Sequence, residues 1–269
     1  MSVPLKTFLT TLFLMTFVAG QALAQTTGCG DYRTVKGYGA DKHGMVLCLV
    51  AGKGKLPWKK PRQILFADET SLLVTDFGSW GNRKRGKLWS LNLKTMKARK
   101  IYDKGDRTHG LAVDRLGRIL LGDAGRILRQ SGDRFEAVVT GLPKEGNHPM
   151  SHMILLPNQD LIINVGAPSD QCKKEMKASS NKLTCASRDS EAELRRYFYD
   201  SGRDGYGRSY NVVGRGLRNS MALLFNSLTG ELYQAENSFD SLGITEEFNV
   251  MSLDVEGAEY PIVPHFIRQ

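Results

Sequence analysis

The sequence predicts an all-β protein made of small antiparallel sheets that repeat along the chain. Four segments share one pattern, in which an apolar strand, a turn and a second apolar strand precede a polar or glycine-rich loop. They read PRQILFADETSLLVTDFG from Pro61, THGLAVDRLGRILLGDAGRILR from Thr108, SHMILLPNQDLIINVGAPS from Ser151 and SMALLFNSLTGELYQAENS from Ser220. Such repetition is typical of β-propeller blades, which bury both sheet faces only against neighbours. The pattern therefore predicts about four blades, although irregular β-sandwiches also give short strands between turns.

The first residues have the pattern of a secretory signal. Lys6 precedes an uncharged apolar stretch at 7–20, and residues 22–24 read Ala-Leu-Ala, the A-x-A arrangement that precedes signal cleavage. The apolar stretch is shorter than the roughly 20 residues of a membrane span. We therefore expect a signal peptide at 1–24 and a periplasmic or secreted propeller domain at 25–269, without a membrane span.

The chain is basic, with a formal net charge of +9. A basic surface suits nucleic acid, an anionic membrane or a small polyanion. Because the chain carries an export signal, nucleic acid is the least expected of these partners.

Four cysteines follow the predicted signal peptide. An even number in an exported chain indicates two disulfides, and proximity in sequence pairs Cys29 with Cys48 and Cys172 with Cys185. None of the spacings is that of a zinc or haem-attachment motif.

Arg218 and Asn219 stand directly before the fourth repeat. Residues 221–225 predict a buried strand, 227–230 a turn and 231–235 the returning strand. Strand and turn chemistry gives no reason for a guanidinium and an amide at that point, and the alternatives for Arg218 are a functional role and a surface ion pair.

Two histidines, His148 and His152, precede the strand of the third repeat. On a helix their spacing would suit metal chelation, but Pro149 and the β-type pattern place them in a loop that continues into a strand. Extended residues four apart are separated by roughly 13 Å, so the two cannot share one ion. His148, in the loop, is the better functional candidate, and the alternative is a surface or capping role for both.

Two stretches together resemble the soluble sugar dehydrogenases that use pyrroloquinoline quinone (PQQ), the glucose/sorbosone dehydrogenase family. The first runs from His148 to Asp170, with the histidine nine residues before the turn at Pro157 and a strand that ends in VGAPSDQC. The second is GLRNSMALLFNSLTGELYQAENS, and the resemblance covers most of residues 57–250. It implies a six-bladed β-propeller with the quinone and a calcium ion at the mouth of the channel.

The resemblance also implies roles for individual residues. His148 would be the general base that takes the proton of the sugar hydroxyl, and Arg218 and Asn219 would contact the cofactor. His109, in the equivalent loop of THGLAVD, would line the same mouth as a further cofactor contact, and the alternative is a local turn contact. A basic protein suits this cofactor, which is a tricarboxylate.

Calcium prefers oxygen ligands, which the resemblance places after the fourth repeat. The segment AENSFDSLGITEEFN offers Glu236, Asn237 and Asp240, together with Glu246 and Glu247. We expect the first three to be the ligands.

The resemblance implies oxidation of an aldose or aldehyde-sugar hydroxyl, with hydride transfer to the quinone and onward transfer of electrons to an unidentified acceptor. After Asn249 the family continues with a Gly-Tyr-Gly-Trp-Pro segment, of which VEGAEYPIVP keeps only Gly257, Tyr260 and Pro261. We therefore expect an incomplete propeller with weak turnover. The rival functions are a calcium-dependent lactonase and a non-catalytic propeller that binds a partner or a glycan.

Overall fold

The computed structural model describes seven parts of the chain, which are residues 33–35, 47–49, 56–79, 85–148, 152–168, 192–237 and 247–253. Two compact units divide the chain, Met1–Leu56 and Pro57–Gln269. In the first unit, β1 (Arg33–Val35) pairs antiparallel with β2 (Leu47–Leu49). In these parts of the chain no helix has the length and hydropathy needed to cross a bilayer.

Several predictions concern residues outside the described parts. These are the signal peptide, the extent of the domain, and the roles of Cys29, Cys172, Cys185 and Asp240. Cys48 is disulfide-bonded. The two proposed pairings stay predictions, because the other three cysteines are not described.

The second unit is a β-propeller arc of four blades, as the repeats predicted. Blade 1 consists of β3 (Pro61–Asp68), β4 (Ser71–Asp76), β5 (Gly86–Asn92) and β6 (Lys97–Gly105). Blade 2 consists of β7 (Leu111–Val113), β8 (Ile119–Asp123), β9 (Arg126–Ser131) and β10 (Arg134–Thr140). Blade 3 consists of β11 (Met153–Leu155), β12 (Leu161–Val165), β13 (Glu193–Tyr197) and β16 (Asn211–Arg215), and the hairpin of β14 (Tyr199–Asp200) and β15 (Gly205–Tyr206) interrupts it. Blade 4 consists of β17 (Ser220–Asn226), β18 (Glu231–Glu236) and β19 (Glu247–Ser252).

The first strand of each blade contacts the first strand of the next. β3 contacts β7, β7 contacts β11, and β11 contacts β17. All sheet pairings in the blades are antiparallel and follow chain order. The four first strands therefore line the inner side of the arc, which is the channel of the propeller.

Apolar clusters between neighbouring blades form the core. Successive residues of β8 point to opposite blades, so that Leu121 packs toward blade 1 while Leu120 packs toward blade 3. β12 does the same, with Ile163 packed toward blade 2 and Ile162 toward blade 4. Burial on both faces explains why ILLGD and LIINV are continuous apolar runs instead of alternating ones.

The two end blades each expose one apolar face. Ile64 and Phe66 of β3 are 62% and 65% exposed, and Leu224 of β17 is 65% exposed. Because blade 4 has a neighbour on one face only among the described residues, the 221–225 strand is half-buried. Its prediction as a buried strand was therefore wrong for that face.

A carboxylate ends the second strand in three of the four blades and accepts a backbone N–H from the segment that precedes the first strand. Asp76 accepts from Lys60 at 2.8 Å, Asp123 accepts from Asp106, and Glu236 accepts from Arg218 at 2.7 Å. Donor and acceptor are 16, 17 and 18 residues apart. We call these three residues the strand-end carboxylates. In blade 3, Val165 ends the second strand.

We predict that Asp76→Ala lowers the free energy of unfolding by about 3 kcal/mol, because it leaves several backbone donors without their charged acceptor. Asp76 is 1% exposed and accepts from Lys59, Lys60 and Gly78. Asp68→Ala is the matched control, because exposed Asp68 accepts only within its own turn. Urea denaturation should show a loss below about 1 kcal/mol for the control. Equal losses in the two variants would contradict the structural role of Asp76.

Candidate functional site

The predicted site residues lie at the end of the propeller where the first strands begin, which we call the mouth. Antiparallel pairing places the start of each first strand beside the end of its second strand. His109 lies two residues before β7, His148 lies five residues before β11, and Arg218 and Asn219 directly precede β17. Glu236 ends β18 at the same end of the sheet.

The structure brings His148 and Arg218 together through two residues that follow β12. The Nδ1 atom of His148 is 2.9 Å from the carbonyl oxygen of Ala167, and the N–H of Ala167 donates to the carbonyl oxygen of Arg218 at 2.7 Å. A Cβ atom on Gly166 would lie 2.5 Å from the Cβ of His148 and 3.0 Å from the carbonyl oxygen of Arg218. Only glycine leaves room for this approach.

The contact with Ala167 fixes the tautomer of the His148 imidazole. A carbonyl oxygen only accepts, so Nδ1 carries the hydrogen and donates it. The lone pair of the neutral ring is then on Nε2. This is the form that a general base requires.

Arg218 is a buried side chain, only 1% exposed. Its Nη1 donates to the carbonyl oxygen of Asn237 at 3.0 Å, and Glu236 accepts its backbone N–H. Asn219 is 8% exposed, and its carbonyl oxygen accepts the N–H of Asn237 at 3.0 Å. In this conformation Arg218 therefore places a positive charge beneath the mouth and does not present an exposed guanidinium.

Two of the three predicted calcium ligands already serve Arg218. The Glu236 carboxylate and the Asn237 carbonyl both accept from this residue, whose positive charge opposes a divalent cation at the same oxygens. The described residues contain no group of three or more His, Cys, Asp or Glu side chains that could hold a metal. The assignment of Glu236 and Asn237 as calcium ligands stays a prediction, and Asp240 lies outside the described parts.

Sequence patterns did not identify Arg62 and Gln63 as site residues, yet both lie at the mouth with two histidines. The Nε2 atoms of Gln63 and His152 are 3.1 Å apart, and the charges of Arg62 and His152 both act on His109. A sequence alignment of the repeats would have shown that Arg62 occupies the position of His109. Arg62 precedes the strand-end carboxylate Asp76 by 14 residues (76 minus 62), as His109 precedes Asp123 (123 minus 109).

Burial keeps the two inner histidines neutral. Desolvation, followed by the positive charge of Arg62 and the neighbouring His152, lowers the pKa of His109 to about 3. Burial lowers the pKa of His152 to about 4. Both imidazoles are therefore uncharged near neutral pH.

Comparison with known proteins places this geometry on a familiar fold. No protein-family model and no curated protein matches the sequence. Among solved structures, a carbohydrate-active enzyme of family AA12 from Trichoderma reesei has a TM-score of 0.55 and 20% identity over 72% of this chain. A gluconolactonase from Xanthomonas campestris has a TM-score of 0.51 and 14% identity over 72% of this chain.

A further similar structure is an auxiliary nutrient binding protein from Bacteroides thetaiotaomicron, with a TM-score of 0.53 and 12% identity over 78% of this chain. This chain spans 52% of the Trichoderma protein, 58% of the Xanthomonas protein and 48% of the Bacteroides protein. At these identities the likeness shows the fold, a β-propeller, and leaves the function open.

We predict that Gly166→Ala separates His148 from Arg218 and destabilises the protein by about 1–3 kcal/mol, because its Cβ overlaps atoms of both residues. Gly214→Ala is the control, because its Cβ would meet only side-chain atoms at 3.6 Å. Thermal unfolding measures the stability, and nitrogen chemical shifts of the imidazole report the His148 tautomer. An unchanged tautomer and melting temperature in Gly166→Ala would contradict the tight contact.

We predict that stability falls as the pH is lowered from about 6.5 toward 4. In this window the unfolded histidines, with an ordinary pKa near 6.5, bind protons that folded His109 and His152 do not. Each depressed pKa therefore contributes stability that is present above pH 6.5 and is lost as the pH falls, by up to about 1.4 kcal/mol per pH unit. Urea denaturation between pH 6 and 4.5 should give a flatter dependence for His109→Gln than for the parent, and parallel curves would contradict the assignment.

Proposed function

We propose that the chain belongs to an exported sugar oxidoreductase that removes a hydride and a proton from a sugar hydroxyl, with PQQ as the electron acceptor. The observation that supports it best is the His148 imidazole, held by Ala167 with Nε2 as its basic nitrogen, and joined through Ala167 to the backbone of the buried Arg218. The resemblance of the His148 and Arg218 stretches to quinone-dependent sugar dehydrogenases points to the same chemistry. The substrate would be an aldose or an aldehyde sugar.

The basic residues of the mouth fit an anionic cofactor. Arg62, Arg107 and Arg218 stand at or before the first strands of three blades. The nearby strand-end carboxylates Asp76 and Glu236 are occupied by backbone N–H groups of their own blades. Asp106 pairs with Arg107. Arg62 and Arg218 are therefore the guanidinium groups that would attract a bound tricarboxylate, with Arg218 and Asn219 closest to its proposed position.

The proton and the hydride leave the sugar in one oxidation. His148 Nε2 takes the hydroxyl proton, the C–H bond breaks with its electron pair, and the carbon becomes a carbonyl carbon. When bound, the quinone supplies the two-electron acceptor for the hydride. The buried Arg218 charge stabilises the negative charge that develops above it, in a site whose dipoles are already oriented. The electrons then pass to an acceptor that we do not identify.

A lactonase is the second candidate. A neutral imidazole that can remove a hydroxyl proton can also remove a proton from water, which would then attack a lactone carbonyl. The likeness of the fold to the Xanthomonas gluconolactonase makes this alternative concrete. It requires a metal or another group to polarise the carbonyl. A propeller that only binds its ligand, as the name of the Bacteroides protein indicates for that protein, is the third candidate.

We predict that His148→Asn lowers kcat for sugar oxidation by about 10²–10⁴-fold, because it removes the general base. The assay is dye reduction by the protein supplied with PQQ and calcium, over a panel of aldoses, with a parallel titration of acid released from gluconolactone. The melting temperature of the variant should stay close to that of the parent. Lactone hydrolysis without dye reduction would favour the lactonase, and sugar binding without either activity would favour the binding propeller.

A further inference from the structure

Four side chains from three blades meet on the inner side of the arc. Arg62 and Gln63 belong to β3, while His109 and His152 precede β7 and β11, the first strands of the next two blades. The Gln63 and His152 side chains are in contact across the channel at 3.1 Å, although 89 residues separate them. We call these four residues the channel cluster.

Backbone contacts hold the channel cluster in place. The hydroxyl of Thr75 accepts the N–H of Gln63 at 3.0 Å and donates to the carbonyl oxygen of His109 at 2.8 Å. Gly110 follows His109 and Met153 follows His152. A Cβ on Gly110 would lie 3.1 Å from the Met153 side chain, so the two chain segments are closely packed where the histidines lie. The positions of the cluster are thus fixed by the fold.

The polar atoms of the channel cluster are not all satisfied. Nδ1 of His109 and Oε1 of Gln63 are buried and have no hydrogen-bond partner among the described residues. Buried polar atoms in folded proteins nearly always have a partner, which is water or a ligand where the protein supplies none. The cluster therefore needs an occupant with polar atoms.

The local charge decides which occupant is favoured. Arg62 lies close enough to His109 to act on its protonation, and none of the described carboxylates contributes to that field. The guanidinium also stacks over the ring of Phe77, 5.0 Å from its centre. A metal cation would meet the charge of Arg62 in a poorly solvated place, whereas an oxyanion would be attracted to it.

The channel cluster can present donors to such an oxyanion. Arg62 has only donors, and a neutral imidazole donates from one of its nitrogens. Rotation of the Gln63 side-chain amide by half a turn exchanges its oxygen and nitrogen positions. The oxygen then accepts from His152, and the NH₂ group lies where the oxygen without a partner was. The set then resembles the arginine and amide groups that commonly bind carboxylates.

The channel cluster lies deeper in the channel than His148. The N–H of Asn164 donates to the carbonyl oxygen of His152 at 3.0 Å, whereas the His148 ring contacts Ala167, three residues further along the same chain segment. Three residues of chain span at most about 10 Å, which bounds the distance between the His152 backbone and the Ala167 contact. One sugar would therefore have to reach from a reacting hydroxyl at His148 to a charged group at the cluster.

We propose that the channel cluster binds a carboxylate and that the substrate is an acidic sugar, a uronic or aldonic acid. This inference rests on the proposed oxidation at His148. It gives His109 a role in substrate binding, in place of the cofactor contact that the family resemblance implied. Arg62 supplies the charge, while Gln63, His109 and His152 supply oriented polar groups.

The test compares acidic and neutral sugars of one configuration. We expect Arg62→Gln to lower the ratio of kcat/KM for galacturonate to that for galactose by at least tenfold, mainly through KM. Arg62→Lys, which keeps the charge, should retain part of the preference. Arg99→Gln is the matched control, because it removes the same charge from an exposed site on β6, and it should leave the ratio unchanged. A ratio unaffected by Arg62→Gln would overturn the proposal.

Binding without turnover separates this inference from the proposed function. Calorimetry with galacturonate, in the absence of quinone, should show binding that Arg62→Gln weakens at least tenfold and the control Arg99→Gln leaves within about twofold. That result supports the acidic-sugar site even if no oxidation is detected. A second titration uses PQQ alone. If Arg62→Gln weakens PQQ binding and leaves galacturonate binding unchanged, the carboxylate belongs to the cofactor and the acidic-sugar assignment is wrong.

Discussion

The burial of one guanidinium is the constraint on which the candidate site depends. Arg218 is 1% exposed, and a charge in that position is stable only if protein groups replace its water. From blade 4, the Asn237 carbonyl accepts from the guanidinium and the Glu236 carboxylate accepts the Arg218 backbone N–H, while the Arg218 carbonyl accepts from Ala167 of blade 3. Because the carbonyl of Ala167 also fixes the His148 ring, the base and the buried charge are joined through a few backbone atoms. The orientation of His148 is thus a consequence of how Arg218 is buried.

The repeat explains why this arrangement arises in blade 3. In the other three blades a strand-end carboxylate binds the segment that leads into the first strand. Val165 occupies that position in blade 3, and its leading segment is held instead by His148 on Ala167 and by the N–H of Asn147 on Pro168. A histidine thus takes over part of the task that a carboxylate performs elsewhere. Nδ1 of this imidazole donates to the Ala167 carbonyl, so the basic nitrogen of its neutral form is Nε2, whereas a carboxylate that accepts backbone N–H groups is a weak base.

Strand patterns were sufficient to predict the all-β class, the four blades and the boundaries of β17 and β18 within about a residue. They also placed His148 in a loop and His152 at the start of a strand, as observed. They could not show which groups meet across blades, because that depends on sheet stacking and not on local periodicity. For this reason nothing in the sequence indicated that Gly166 allows the approach of His148 to Arg218, or that Arg62 and Gln63 lie near two histidines. The burial of Arg218 and the attachment of Glu236 to its backbone were likewise invisible, since a charged pair before a strand has the same sequence whether it faces solvent or the interior.

The distribution of acids and bases along the mouth favours an anionic ligand for a reason that is independent of the family resemblance. The carboxylates nearest the first strands, Asp76, Asp123 and Glu236, are each buried and bound to backbone donors. These backbone N–H groups stabilise the three carboxylate charges, and Arg126 pairs with Asp123 as well. The neighbouring histidines, His109 and His152, are held neutral by burial. They therefore add no positive charge at the mouth. Arg62 and Arg218 carry positive charge at the starts of blades 1 and 4. A carboxylate on the substrate or the cofactor would be attracted to that charge, whereas a neutral sugar would not.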